Sequence, residues 1–340
     1  MRIQHVIPIE PGQPFEVGRF RPEDAPGIAS LFLSVYGSTY PVEAYYDPEQ
    51  IVALHDAGRL HSVVAHTPTG DIVGHGALYR SSPPHPRLYE VGQLIVPPAY
   101  RGSFVAYKIN TYLLEKLPQE ISLDGIFGEA VCNHTVTQKS SLRFGMCETA
   151  LELDLMPRAA DADPQAPGGR VSCLFVFRNY HDAIRQAFVP PSYAQEMALV
   201  LDGAGLERDL LPSSASTPAH STSDVSTAWF ASAGVGRITV ARPGADFEAR
   251  VAEIEATAEA QQIPVRQFFL SLEVAWIGDA VSILRERGYV FGGYLPRWFD
   301  SDGLLLQKVT HPPNFDAIRL HSEKAKRLLE CIRADWARIR

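Results

Sequence analysis

One stretch of this chain, residues 91–108, constrains the fold more than any other. Its aliphatic and β-branched side chains, ending at Val96, are typical of a buried strand. Pro97 and Pro98 end the strand, because proline has no N–H to donate to a neighbouring strand. After a polar turn at residues 100–103, apolar side chains recur at helical spacing. The pattern predicts a strand, a tight turn and a helix, an arrangement that points backbone N–H groups at one spot and so favours anion binding.

The composition narrows the class of protein. A length of 340 residues favours two domains, and a net charge of −8 argues against a general nucleic-acid binder, which needs a basic face. No apolar run approaches the roughly 20 residues that span a bilayer, and the N-terminus does not resemble a signal peptide. The four cysteines have no metal-ligand spacing and fit buried thiols in a reducing compartment. We therefore expect a cytoplasmic protein without metal, nucleic-acid or membrane binding.

The order of the predicted elements gives a second constraint. Over residues 1–158 the order is β-α-α-β-β-β-α-β-α-β, with one helix over residues 103–117. The stretch 211–226 is rich in Ser, Thr, Pro and Ala and predicts a mobile loop. The last third repeats the alternation of strands and helices, and the residues after His311 predict an amphipathic helix.

The turn after Pro98 resembles motif A of the GNAT superfamily, the acyl-CoA N-acyltransferases. That motif reads Arg/Gln-x-x-Gly-x-Gly/Ala; Arg101 stands at its first position and Ala106 at its last. Phe104 stands where the motif has its central glycine. The order of elements is similar to that of the family as well. The resemblance implies a mixed α/β fold in which the backbone amides of this turn hold the pyrophosphate of coenzyme A.

The same resemblance divides the chain. Residues 128–146 and 270–289 share a strand, a helix and a glycine before the next strand, which resembles the end of a GNAT domain. The second copy lacks motif A. The expected division is a GNAT-like acyl-CoA-binding domain at 1–158, a linker at 159–169, a degenerate GNAT-like domain at 170–310 and a C-terminal helix at 311–340.

The resemblance also implies the donor and its contacts. Acetyl-CoA is expected to lie between the strand at Leu94–Val96 and the strand at 125–131, where a main-chain N–H of the first strand stabilises the developing oxyanion. The residues expected to bind the donor are Leu94, Ile95, Val96, Arg101, Gly102, Ser103, Phe104, Val105, Ala106 and Asn133.

Acyl transfer to an amine needs a base, for which Glu90 is the first candidate. It lies eleven residues before Arg101, the offset at which some members of the family carry a catalytic glutamate. Strict alternation places Glu90, Gly92 and Leu94 on one face of the strand. The alternative is a solvated glutamate near the start of the strand.

His134 is the second catalytic candidate, as a base or a substrate contact. It follows a predicted strand and precedes a helix, although Thr135 serves equally well as a helix cap there. Ser141 occupies the position at which the family often has a tyrosine that protonates the leaving thiolate, so that acid is absent, and Tyr107 or solvent are the alternatives.

Tyr36 and Tyr40 lie between the first two helices, where the resemblance implies an acceptor pocket; core packing is the alternative. The predicted function is N-acyl transfer, most simply acetyl transfer, to a small-molecule or peptide amine, with a homodimer left open. The alternative is a non-catalytic GNAT-like module that binds acyl-CoA or a protein, which Phe104 and Ser141 favour.

Overall fold

The chain forms two compact units in a computed structural model that describes residues 2–40, 42–157 and 169–339. The first unit comprises Met1–Ser81 and Pro86–Gly128, and the second comprises Ser82–His85 and Glu129–Arg340. Each unit combines helices with parallel and antiparallel strand pairs, which confirms the mixed α/β class. The domain boundaries expected from composition stay a prediction, and linker residues 159–168 lie outside the described residues.

The first unit is a sheet with helices packed on it. Its elements are β1 (Glu16–Arg19), α1 (Ala25–Tyr36), α2 (Pro48–Asp56), β2 (Leu60–His66), β3 (Ile72–Tyr79), β4 (Leu88–Ile95), α3 (Val105–Thr111), α4 (Leu117–Glu120) and β5 (Gly125–Val131), whose last residues belong to the second unit. The strands β1 to β4 pair in chain order as antiparallel neighbours, and β4 pairs with β5 in parallel.

The helix predicted over residues 103–117 is not continuous. α3 is followed by a π turn over Tyr112–Lys116 and then by α4. Pro118 has no N–H to donate to the preceding turn, and a widened turn accommodates this gap. α3 packs closely on β3. A Cβ built on Gly74 of β3 would lie 2.4 Å from the Cγ1 of Val105, so a larger residue at position 74 would not allow this approach.

The second unit begins with the end of β5. Its further elements are α5 (Val136–Arg143), β6 (Cys147–Met156), β7 (Val171–Asn179), β8 (Arg185–Val189), α6 (Ala194–Leu201), β9 (Arg208–Pro212), β10 (Asp224–Phe230), β11 (Val235–Arg242), α7 (Phe247–Ala260), β12 (Val265–Ser271), α8 (Ile277–Glu286), β13 (Val290–Phe299), β14 (Ser301–Val309) and α9 (Glu323–Arg338). The large sheet has the order β7-β6-β13-β14-β12-β11-β10, and β8 pairs with β9. Thus α5 and β6 complete the predicted order β-α-α-β-β-β-α-β-α-β, which is confirmed.

β6 and β13 approach each other closely in this sheet. Gly293 on β13 pairs with Ala150 on β6, and a Cβ on Gly293 would lie 2.2 Å from the Cα of Ala150. The glycine has φ of 145°, which other residues rarely adopt. This position therefore requires glycine for the two strands to approach.

Two predictions about the second half of the chain are wrong in their bounds. The mobile loop predicted at 211–226 overlaps β9 and β10, and Ala215 in its middle donates a backbone hydrogen bond to Ala275. The C-terminal helix begins at Glu323 and not after His311, because Ser322 provides the side-chain cap that accepts from the Ala325 N–H.

The four cysteines are free thiols, with Cys132 and Cys173 buried. None of the helices in the described part of the chain has the length and apolar content needed to cross a membrane.

Candidate functional site

The middle of β4 contains a bulge opposite β3. Ala77 pairs with Gly92 and His75 pairs with Ile95, so Gln93 and Leu94 lie opposite the single residue Gly76. Gln93 has φ of 57°, an uncommon left-handed conformation for a residue other than glycine. The strict alternation predicted for Glu90, Gly92 and Leu94 is therefore interrupted before Leu94.

The side chains of His75 and Gln93 hold this bulge in place. The Nδ1 of His75 lies 3.1 Å from the carbonyl oxygen of Gln93, and its Nε2 lies 2.8 Å from the Ser62 Oγ. Because the carbonyl can only accept, Nδ1 carries the proton and Nε2 accepts from Ser62. Burial lowers the pKa of His75 to about 4, so the ring is neutral at pH 7. The Gln93 side chain in turn donates to the Tyr45 hydroxyl at 2.5 Å.

β4 and β5 pair over a short distance. The parallel register joins Leu88, Tyr89 and Glu90 to the three residues of β5 from Gly125 to Phe127. β4 continues for five residues beyond Glu90, and along 91–95 no pairing with β5 exists within the described residues. The pairing of β4 with β5 thus ends at Glu90.

Glu90 lies at the point where this pairing ends. It is 9% exposed, and its Oε1 accepts a hydrogen bond of 2.5 Å from the Tyr79 hydroxyl. Tyr79 also covers Gly92, because a Cβ there would lie 3.1 Å from the Tyr79 hydroxyl. Glu90 is therefore a nearly buried, oriented carboxylate, and the alternative of a solvated glutamate does not describe it.

A cluster of aromatic rings forms around Phe32 of α1. Phe32 stacks on Tyr45 with 4.7 Å between ring centroids and meets Tyr40 edge-on at 4.9 Å. Tyr36 lies 5.0 Å from Tyr40 and is 37% exposed at the rim. Burial raises the pKa of Tyr45 to about 12, and the charge of Glu90 contributes in the same direction. Burial also raises the pKa of Tyr40, again with a contribution from Glu90. Of the two predicted tyrosines, Tyr40 therefore lies near the predicted base, and Tyr36 lies against Tyr40.

The turn after β4 exposes backbone N–H groups. Ser103 donates to the Tyr100 carbonyl at 3.2 Å, and Val105 donates to the Ser103 hydroxyl at 3.3 Å. Among the residues that the structure describes, the amides of Gly102, Phe104 and Ala106 have no hydrogen-bond acceptor. This turn can therefore offer three N–H groups to an anion.

Phe104 fits this turn without strain. Its φ is −81°, and the positive φ of 84° falls on Gly102 instead. Phenylalanine at the position of the motif's central glycine is therefore compatible with this backbone. The ring is 73% exposed. Arg101 is exposed as well, and its Nε donates to the Val96 carbonyl at 3.3 Å, which keeps its positive charge at the turn. Leu94 is exposed, whereas Ile95 and Val105 are buried.

The remaining predicted residues belong to the second unit. Asn133 and His134 are exposed after β5, and the His134 Nδ1 accepts from the Val136 N–H at 3.3 Å. Thr135 is at the cap position of α5 but makes no side-chain cap. The Ser141 hydroxyl donates to the Thr137 carbonyl within the same helix at 3.0 Å.

Comparison with known proteins finds solved structures that are similar to part of this chain. No family model and no curated protein matches the chain. A GNAT-family acetyltransferase from Desulfovibrio desulfuricans is 16% identical with a TM-score of 0.38, covering 49% of this chain and 99% of that chain. The spermidine/spermine N-acetyltransferase from Vibrio cholerae is 14% identical with a TM-score of 0.38, covering 49% and 92%. An acetyltransferase from Salmonella typhimurium, solved with acetyl-CoA, is 13% identical with a TM-score of 0.40, covering 50% and 97%.

The degenerate second GNAT-like half stays a prediction.

Three residues of the site, Tyr79, His75 and Gln93, were missed as functional residues by sequence reasoning. Their roles depend on the register between β3 and β4, which places Tyr79 directly opposite Glu90. The signal available in the sequence was Gly92, since glycine inside a strand often marks a bulge or a close approach.

Proposed function

We propose that this chain transfers an acyl group, most simply acetyl, from acyl-CoA to an amine by direct attack. The observation that carries the proposal is the exposed turn that follows β4, where the amides of Gly102, Phe104 and Ala106 have no acceptor among the residues that the structure describes. Converging N–H groups favour a diphosphate, and the exposed Arg101 adds positive charge. Leu94, Ile95 and Val96 lie between this turn and Glu90, so the acyl end of the donor would run along β4 toward the carboxylate.

Glu90 is the proposed base. The attacking amine must be neutral, so a proton must pass from the ammonium form to an acceptor, directly or through one water. The bond from Tyr79 fixes one oxygen of the carboxylate and so orients the group. The nitrogen then attacks the thioester carbonyl, and a main-chain N–H of Leu94–Val96 stabilises the oxyanion. The carbon–sulfur bond breaks as the nitrogen gives up its second proton to solvent, and the thiolate takes a proton from solvent, because the Ser141 hydroxyl is bonded within its own helix.

The acceptor is proposed to enter past Tyr36 and Tyr40. Their rings present faces that attract an ammonium group, and Glu90 adds a negative charge beside them. One end of the Gln93 amide is bound to Tyr45, and the other end is buried without a partner among the described residues. That end supplies a further hydrogen-bonding position for a small-molecule or peptide amine. Asn133 and His134 remain candidates from the sequence.

A second candidate function is a module that binds acyl-CoA without turnover. The lack of a proton donor at Ser141 favours it. Titration with acetyl-CoA by calorimetry, followed by a thiol-release assay over a panel of primary amines, separates the two. Binding with thiol release supports the transferase, and binding without release on any amine supports the module. Absence of binding contradicts both.

A further inference from the structure

The second unit repeats part of the first unit in its order of elements. In the first unit the antiparallel pair β3–β4 is followed by a helix and by β5, which is parallel to β4. In the second unit the antiparallel pair β10–β11 is followed by α7 and by β12, which is parallel to β11. The turn at residues 243–246, between β11 and α7, therefore corresponds to the turn that ends at Ala106.

This second turn is occupied by the chain itself. The Gly244 N–H donates to the Ser223 hydroxyl at 2.9 Å, and the Ala245 N–H donates to the Ser221 carbonyl at 2.9 Å. A Cβ on Gly244 would lie 2.4 Å from the carbonyl carbon of Thr222. The Asp246 carboxylate accepts from the Ser223 N–H at 2.7 Å, which fastens the segment further. The amides that would face a phosphate are thus covered by residues 221–223.

In the second unit, β11 and β12 also pair over a longer stretch than β4 and β5 do. β11 and β12 pair over six successive residues, from Val235 opposite Val265 to Val240 opposite Leu270. By contrast, β4 and β5 pair over three residues. The main chain of β11 is therefore engaged by β12 over three more residues than β4 is by β5.

A positively charged side chain, that of Arg237, stands at the position that corresponds to Glu90. Glu90 is in the third residue pair of β4 and β5, and Arg237 is in the third residue pair of β11 and β12. A guanidinium cannot take a proton from an amine. Arg237 is held by Glu129 at 2.6 Å and by Gln267 at 3.1 Å, so its role is to stabilise the unit.

We infer that each chain binds a single acyl-CoA, at the first unit, and that the second unit has closed its corresponding site with its own residues 221–223. The inference rests on the proposed function, because it assigns the donor to the Arg101–Ala106 turn. It gives the second unit a structural role and excludes two active sites on one chain.

The test is calorimetric titration of the full chain with acetyl-CoA, using two matched variants that place a carboxylate on an exposed residue of each turn. Phe104→Asp alters the first turn, and Ala245→Asp alters the second. We expect a stoichiometry of one for the wild type. Phe104→Asp is expected to weaken binding by about tenfold or more through repulsion of the phosphates. Ala245→Asp is expected to leave both the stoichiometry and the Kd unchanged.

A stoichiometry of two, or equal weakening by both variants, overturns the inference while leaving the proposed function standing. Absence of binding by the wild type contradicts the proposed function itself, and with it the inference. Circular dichroism and the thermal unfolding midpoint of each variant show that both remain folded.

Discussion

The hydroxyl of Tyr79 donates a hydrogen bond of 2.5 Å to the Oε1 of Glu90. The two residues face each other across the β3–β4 pair, at the last position where β4 also pairs with β5. A bond donated to a carboxylate stabilises its charged form and fixes its direction. Glu90 is thereby oriented in a nearly buried position.

Replacement of the base is expected to reduce turnover strongly. Glu90→Gln keeps the size of the side chain but removes proton acceptance, so kcat should fall by about 10²–10⁴-fold with acetyl-CoA binding retained. The measurement is thiol release at saturating donor. Glu16→Gln, at an exposed position on β1, is the control and should behave as the wild type. A variant at position 90 with normal kcat would remove this residue from the mechanism.

Loss of the tyrosine hydroxyl is expected to move the pH profile. Tyr79→Phe removes the bond to Glu90, so the carboxylate form is less stabilised and the acidic limb of the rate profile should shift to higher pH. The plateau rate at high pH should fall less than with Glu90→Gln, since the base is still present. Rates measured from pH 5 to 9 check this; an unchanged acidic limb would show that Tyr79 does not act on the base.

Removal of the exposed ring in the turn is expected to have a small effect. Phe104→Gly keeps the unpartnered amide, and the ring that it removes is 73% exposed on a relaxed backbone. We expect the Kd for acetyl-CoA to change by less than about threefold, or about 0.7 kcal/mol. Calorimetry measures this change. Tightening by tenfold or more would mean that the ring competes with the donor for the turn.

The buried histidine is expected to make stability depend on pH. Burial lowers the pKa of His75 from 6.5 to about 4, so the unfolded chain takes up a proton at a higher pH than the folded chain. Stability from this group is complete above pH 6.5 and is lost as the pH falls toward 4. Between pH 7 and 4.5 the loss is about 2.5 kcal/mol.

His75→Gln removes this titration and should lose correspondingly less stability over the same interval in urea unfolding. His55, whose pKa burial also lowers to about 4, titrates in both proteins and cancels in the comparison. Equal losses in the variant and the wild type would show that His75 does not titrate between the folded and unfolded states.

The elements of the first half of the fold could be predicted from the sequence, because they depend on local patterns. The aliphatic run before Pro97 and the helical spacing after Ser103 are local patterns, and both elements form there. The bulge at Gln93 could not be predicted from the sequence, because it depends on the pairing of β4 with His75 and Ala77 on β3. The partner of Glu90 was missed for the same reason, since a cross-strand register is not written in the spacing of one strand.

Composition misled at two places where tertiary contacts decide. The stretch from 211 to 226 has the composition of a free loop, yet Ser221 and Ser223 bond to the turn before α7. The residues after His311 have helical periodicity, but Pro312 and Pro313 delay the helix until the cap at Ser322. Hydrogen bonds between residues far apart in the chain fix the stretch 211–226, and the cap at Ser322 sets the start of the C-terminal helix.

The most direct test of the acyl-CoA assignment is a crystal structure of the chain with bound acetyl-CoA. The predicted result is a pyrophosphate that accepts hydrogen bonds from the amides of Gly102, Phe104 and Ala106, with the thioester beside β4 near Glu90. A pyrophosphate bound elsewhere on the chain, with those three amides still facing solvent, would contradict the account.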